Sequence, residues 1–379
     1  MKKRLLLMTL IAASLSVHAQ VKMPEWLSNV KLSGYGITQY QYSSQEDNES
    51  NSFNLRLVRL ALEGRIVNDF YWKIQLQLNG NTSNLTIAPR IVDAFVEWQE
   101  YDFLRAKIGQ FKRPFTFENP MHPITQGFMN YSQNVSRLAG FSDRAGGHAS
   151  NGRDIGLQLQ GDFLKDASGR NLLHYQVGVF NGQGINVKDV DQRKDLIGGL
   201  WVMPIKGMRI GVFGWEGSYA RKGTWTELAA DGITEENHSG VRSLGQHRYA
   251  LSADYVVDDW TFRTEYIHSS GLAFKDRMES YDKEKTTNCN LAANGSRADG
   301  YYALVIAPII KHKLHAKARY DLYRNNGAWN SAKTFYEVGA DYEISKNLQI
   351  NAEYAFVNDR SLSTGHNYSM IDVEVDFKF

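Results

Sequence analysis

The stretch Phe103-Leu-Arg-Ala-Lys-Ile-Gly-Gln-Phe111 alternates, with Leu104, Ala106 and Ile108 on one side and Arg105 and Lys107 on the other. A two-residue period with unlike faces is the mark of a strand. The period then stops. About forty residues without one follow, opening Lys112-Arg-Pro-Phe-Thr-Phe-Glu-Asn-Pro-Met-His-Pro123. Three prolines, Pro114, Pro120 and Pro123, exclude a regular strand or helix there. Alternation resumes in Gly152-Arg-Asp-Ile-Gly-Leu-Gln-Leu-Gln-Gly161. A structureless insert this long between two strands is unusual in a compact domain and is usually functional. Taken alone it reads equally as a surface loop or as a segment folded back between elements; the rest of the chain decides.

Strand signals recur throughout, and helical periodicity is hard to find. About sixteen strands of near ten residues are expected, the length a tilted membrane strand needs. They cover 31–42, 52–66, 70–80, 89–99, 103–111, 151–162, 171–181, 192–203, 207–218, 245–256, 259–268, 300–309, 313–323, 332–342, 347–357 and 367–379. Connections alternate in length. Short ones such as Val67-Asn-Asp69, Glu100-Tyr-Asp102 and Ser345-Lys-Asn347 are interleaved with long ones such as Ser43–Asn51, Lys112–Ser150, Tyr219–Leu244 and Ser269–Asp299. Tight turns at one end and long loops at the other are the plan of a membrane barrel; a β-sandwich has no reason to put every long loop at one end.

Polarity supports that plan. In Lys313-Leu-His-Ala-Lys-Ala-Arg-Tyr-Asp-Leu322, Leu314, Ala316, Ala318, Tyr320 and Leu322 share one face, and Lys313, His315, Lys317, Arg319 and Asp321 the other. Sixteen strands enclose a lumen too wide for side chains to fill. The charged face therefore goes inside with water and the apolar face goes to lipid, where a charge costs about 2–4 kcal/mol at the midplane. Trp72, Trp98 and Trp260 lie beside short turns, as an interfacial girdle requires. Two segments resist: the face assignment of 192–203 is ambiguous, and Tyr301-Tyr-Ala-Leu-Val-Ile-Ala-Pro-Ile-Ile310 is apolar on both faces. The latter fits either a wall strand packed against the inward loop or part of a subunit contact.

The chain begins with Met1-Lys-Lys-Arg4, an apolar run Leu5–Leu15 and Val17-His-Ala19. That three-part pattern predicts an export signal over 1–19, with 20–379 as one barrel domain and the loop 112–150 inside its lumen. Losing Lys2, Lys3 and Arg4 takes the formal charge from +2 to −1, so net charge selects no partner and nothing points to nucleic acid. Cys289 is the only cysteine, so no internal disulfide can form, and it reads as a loop thiol. After residue 20 no apolar run approaches the ~18 residues of a membrane helix.

The last strand, Met370-Ile-Asp-Val-Glu-Val-Asp-Phe-Lys-Phe379, alternates to a terminal Phe, which resembles the insertion signal of bacterial outer-membrane proteins. Phe53-Asn-Leu-Arg-Leu-Val-Arg-Leu-Ala-Leu-Glu-Gly64, Gly109-Gln-Phe-Lys-Arg-Pro-Phe115, Gly152–Gly161 and Tyr175-Gln-Val-Gly-Val-Phe-Asn-Gly182 resemble the phosphate-selective porin O and P family over nearly the whole mature chain. The resemblance implies an all-β, sixteen-stranded transmembrane antiparallel barrel in a bacterial outer membrane, with an inward third loop. It implies a homotrimer, recognition of Phe379 by the outer-membrane assembly machinery, and passive diffusion with a preference for small anions such as phosphate. Within the inward loop the likeness reaches only Lys112-Arg-Pro-Phe115.

The expected pore-lining, anion-binding cations are Arg59, Arg65, Lys73, Arg105, Lys107, Lys313, Lys317 and Arg319 on the wall, with Lys112 and Arg113 opening the loop. Same-face cations along a strand stand roughly 7 Å apart. An anion can then step between sites that each hold it weakly. The same wall carries Glu63, Asp93, Glu97, Glu265, Glu337, Asp341, Glu353, Asp372, Glu374 and Asp376. Basic positions crowd the second, third and fifth strands and acidic ones the last three, which predicts a field across the pore. A general or cation-preferring pore is the alternative. An outer-membrane barrel enzyme such as a lipase, or an exported soluble β-rich binding protein, are others. No catalytic residue, metal site or cofactor is expected: no nucleophile elbow or metalloprotease helix occurs. His312 and His315 fall on opposite faces of a strand. Asp189, Asp191 and Asp195 do not make an EF-hand.

Overall fold

Antiparallel pairing alone closes the wall of this chain. The computed structural model describes residues 29–79, 89–146, 150–276, 287–293 and 296–379; the expected export signal, 1–19, lies outside them. The wall strands are β1 (Lys31–Ser43), β2 (Ser50–Arg65), β3 (Phe70–Gln77), β4 (Arg90–Tyr101), β5 (Leu104–Lys112), β6 (Arg153–Lys165), β7 (Asn171–Phe180), β8 (Asp195–Val202), β9 (Met208–Leu228), β10 (Glu235–Val257) and β11 (Trp260–Ser270). After the two-residue β12 (Thr287–Asn288), which pairs parallel with β9, come β13 (Arg297–Ile310), β14 (Leu314–Arg324), β15 (Ala332–Ser345), β16 (Leu348–Asp359) and β17 (Asn367–Lys378). Each of the sixteen wall strands pairs with its sequence neighbours, and β1 pairs with β17, so no edge is left open. Phe379 completes the closure through mutual backbone bonds with Gly34 at 3.0 and 3.1 Å. The rings of Phe377 and Phe379 lie over Gly36 and Gly34, where a Cβ would stand 2.3 and 2.5 Å from them. Glycine is needed there for the close approach.

The faces are inside out relative to a soluble barrel. Ile350, Tyr354, Phe356, Val338 and Tyr336 are exposed outside, while Lys317, Arg319, Glu337, Glu353 and Glu374 are buried within. A lipid solvent dictates that arrangement. Four features depart from strict alternation. The β1–β2 register skips Arg56 between Leu55 and Leu57, a bulge that lets both Arg56 and Arg59 reach the lumen. The expected loop Tyr219–Leu244 is instead a continuation of β9 and β10, paired without a break from Glu235–Leu228 to Tyr255–Met208. Its Gly- and charge-rich sequence conceals the period, but Trp225 stacks on His238 across the hairpin. Strand 192–203 begins only at Asp195, and its inward Ile197 and Trp201 are apolar because they pack against the loop's cluster, which is why the faces look alike. In β13, Tyr302 and Leu304 are likewise covered by Phe128 of the loop, so the doubly apolar strand is a wall strand under the insert.

The insert after β5 lies inside the barrel. Its helix α1 (Gln133–Leu138) is capped by Ser132, whose side chain accepts from the Val135 N–H. Val135 and Leu138 are fully buried with Phe115 and Phe117 against inward Phe180, Phe213, Trp215 and Ile267. The lumen thus has an apolar core of its own on the β7–β14 side. Gly300 permits a close contact with α1: a Cβ there would lie 2.5 Å from the Cβ of Asn134.

Candidate functional site

A segment without regular structure, buried in a barrel, must find partners for its backbone groups. Here the charged wall supplies them. Glu265 accepts from the Phe117 and Glu118 N–H at 2.7 and 3.0 Å, Glu353 from Met129 N–H at 2.9 Å, and Asp321 from Gln133 N–H at 2.8 Å. Cations serve the carbonyls: Arg263 donates to Gln126, Lys317 to Gly127 and Arg319 to Asn130, at 2.8, 3.0 and 2.8 Å. Arg248 donates to the Leu138 carbonyl and to Asp143, whose carboxyl would be raised by burial but is lowered below its usual range by that guanidinium. Burial raises the loop's own Glu118, which takes the Ser132 hydroxyl.

Where the loop does not cover the wall, charges meet open space. A cavity of about 240 Å³ lies between β2 and the loop, lined by Arg56, Arg59, Lys112 and Arg153 and, among the described residues, by no carboxylate. Arg56 is paired with Glu374, and Arg153 holds Asp93 through two bonds of 2.7 and 3.0 Å. Arg59 and Lys112 form no ion pair among the described residues. Arg59 donates to Gln77 Oε1 at 3.0 and 2.7 Å and to the Tyr35 hydroxyl at 2.9 Å. Lys112 gives its three N–H to Asn119 O, Met121 O and the Tyr131 hydroxyl at 2.5, 2.9 and 3.0 Å. The Arg59 guanidinium is therefore a positive charge with no carboxylate against it. His122 adds none at neutral pH, because burial, then the charges of Arg59 and Lys112, push its pKa down to about 4. A second cavity, about 190 Å³, adjoins at Pro123 on the short-turn side and is lined by Asp259, Asp341, Glu374 and Asp376. Unlike charges are thus separated along the axis as well as around the wall.

The expected site residues divide accordingly. Arg59 and Lys112 come together at the basic cavity. Lys73, Arg105 and Lys107 face inward but are paired: Lys73 with Glu63 at 3.8 Å, Arg105 with Asp162, and Lys107 with Glu97 at 3.4 Å. Arg113 is buried against Asp154 at 2.7 Å with Trp215 beneath it, so it clamps the loop root rather than lining a passage. Lys317 and Arg319 are also covered by the loop, paired with Glu353 and Glu337 at 2.5 Å each. Arg65 sits at the turn, bonded to Asn68 O and Gln99. Lys313 precedes β14 in an exposed turn over the Tyr342 ring and is not on the lumen face. The sequence reading missed Arg56, hidden by the bulge, and Arg153, which is the register partner of Lys112 and could have been placed from it. It also missed Arg248 and Arg263, whose work is done on the loop backbone. His312 and His315 do converge, both on Asp259, because His312 lies in the turn with φ 57°. Cys289 is buried under β9, not on an open loop.

The sequence model of a family described as Gram-negative porin matches residues 6–362. The chain belongs to the Gram-negative porin family. The porin is an outer-membrane diffusion channel in consequence. Its fold is similar to that of OmpF from Salmonella typhi, solved with daunomycin: 10% identity over 93% of this chain and 98% of that one, TM-score 0.60. The outer-membrane channel DcaP of Acinetobacter baumannii is similar at 12% identity over 92% and 97%, TM-score 0.57. So is the trimer form of Vibrio cholerae OmpT, at 12% over 92% and 99%, TM-score 0.55. No curated protein matches the chain in sequence.

Proposed function

We propose that this porin passes small hydrophilic solutes passively and prefers anions, with phosphate among them. The observation that carries the reading is the cavity lined by Arg56, Arg59, Lys112 and Arg153, where Arg59 and Lys112 have no carboxylate partner among the described residues. Low-dielectric walls concentrate such a field. The cations are held by hydrogen bonds before a solute arrives, so an anion meets a prepared site. It is bound weakly enough to leave because the pairs with Glu374 and Asp93 dilute the charge. The likeness to phosphate-selective porins at Lys112–Phe115 favours the same sign. The acidic cavity below favours a second reading, a general pore of weak selectivity. Export through the 1–19 signal, assembly through Phe379, a homotrimer in outer-membrane lipid and no enzymatic step complete the proposal.

The test is the zero-current potential of the purified protein in a planar bilayer under a KCl gradient. An anion-selective sign is expected, and Arg59→Gln reduces it while Arg59→Lys retains it. A cation-selective sign, or no effect of Arg59→Gln, refutes the reading.

A further inference from the structure

The basic cavity has a second wall that the anion reading leaves unused. Leu57, Pro123, Tyr131 and Phe141 line it with the four cations. Tyr131 and Phe141 are tilted against each other at 4.4 Å between ring centroids, and Lys112 Nζ stands over both rings, 4.9 and 5.2 Å away. Both rings are only half-buried, so part of each remains free to touch a solute. We infer that this cavity is a binding station for small carboxylates that carry an aromatic ring. The inference rests on the anion preference proposed above and names the class of anion.

Charge balance argues for a carboxylate over phosphate. A phosphate group carries more than one negative charge near neutral pH, a simple carboxylate only one. Lys112 has given all three of its N–H to the loop and the Tyr131 hydroxyl, so it offers a solute no free donor. Arg56 and Arg153 keep some N–H groups, but their charges are offset by Glu374 and Asp93. One carboxylate balances the Arg59 guanidinium, whose two N–H beyond the three given to Gln77 and Tyr35 suffice for its oxygens. The space argues for a ring. A cavity of about 240 Å³ is below the ~300–1,000 Å³ of a drug-sized site. It has room for a compact aryl acid and not for a sugar phosphate chain. A bare inorganic anion would leave the Tyr131, Phe141 and Leu57 surfaces wet, whereas an aromatic ring covers them and stacks with the favoured tilt.

The experiment uses the full-length porin in a planar bilayer, with single-channel current recorded in KCl as sodium acetate, sodium benzoate or inorganic phosphate is added at matched ionic strength. Benzoate is expected to reduce the chloride current at a concentration about tenfold below that of acetate and of phosphate. Phe141→Ala should bring benzoate to the acetate level. Phosphate acting at or below the benzoate concentration, or benzoate equal to acetate in the unaltered porin, overturns the inference, as does an unchanged benzoate advantage in Phe141→Ala. The zero-current potential in the same membranes keeps the two failures apart. A cation-selective sign removes the underlying anion reading, whereas an anion-selective sign with no benzoate advantage removes only the aromatic class.

Discussion

Two sides of one lumen carry similar inward charges and use them differently. On the β11–β16 side, Arg263, Lys317, Arg319, Asp321, Glu265 and Glu353 bond the backbone of the insert and are shut off from water. On the β2–β3 side, Arg59 is equally buried but lines the cavity beside the loop and bonds no loop backbone, and Lys73 is partly wet. Residue type does not separate these roles. What separates them is whether the loop lies over the residue. A charge under the loop replaces water as the partner of buried peptide groups; a charge beside it acts on whatever passes.

The largest effect that would sharpen this contrast is at Arg319. Replacing it by Ala strands Glu337 in a buried site and releases the Asn130 carbonyl, a loss of about 3–5 kcal/mol. The expected outcome is a lower unfolding midpoint in denaturant, together with new protease cleavage in 121–146. A stable, uncleaved variant breaks the contrast. Next is Glu265→Leu, which leaves the Phe117 and Glu118 N–H without an acceptor, at about 1–3 kcal/mol each. Glu265→Gln retains one oxygen in the same place and should recover most of the loss in the same melt. Gly300→Ala should lift α1 from the wall and add open-channel current noise, because its Cβ has no room beside Asn134.

Smaller effects are expected on the open side. His122 stays neutral until the pH falls to about 4, so anion preference should be flat from its side between pH 8 and 5. Protonation below that range adds a cation next to Arg59, and selectivity measured against pH should rise there; His122→Asn should remove the rise. Smallest is Lys313→Ala at the exposed turn. Stability should stay within about 0.5 kcal/mol and the zero-current potential should not move.

Much of the wall could be read in advance because lipid and water impose opposite demands on alternate residues. In Leu314–Leu322 and Leu348–Tyr354 that demand is met at every position, and the strands fall where the period places them. The same logic failed where the lumen is not wet. Ile197, Trp201, Tyr302 and Leu304 face inward yet are apolar, since the loop and not water is their neighbour. An aperiodic insert gives no sign of which wall it will cover, so Lys317 and Arg319 could not be told from Arg59 by sequence. Arg56 was lost to a single skipped residue in the β1–β2 register. Lys112 and Arg59 were legible as inward cations. That they face aromatic rings across a cavity was not, because Tyr131 and Phe141 lie in the unpatterned segment.

The division of the lumen is tested most directly by thiol accessibility. Lys73→Cys and Ala298→Cys each add one thiol, on the open side and under α1, and the unaltered porin with its buried Cys289 is the control. A charged, membrane-impermeant methanethiosulfonate reagent applied to the conducting porin should modify Lys73→Cys and change its current, and leave Ala298→Cys untouched. Rapid modification of Ala298→Cys, or none at Lys73→Cys, would contradict the account.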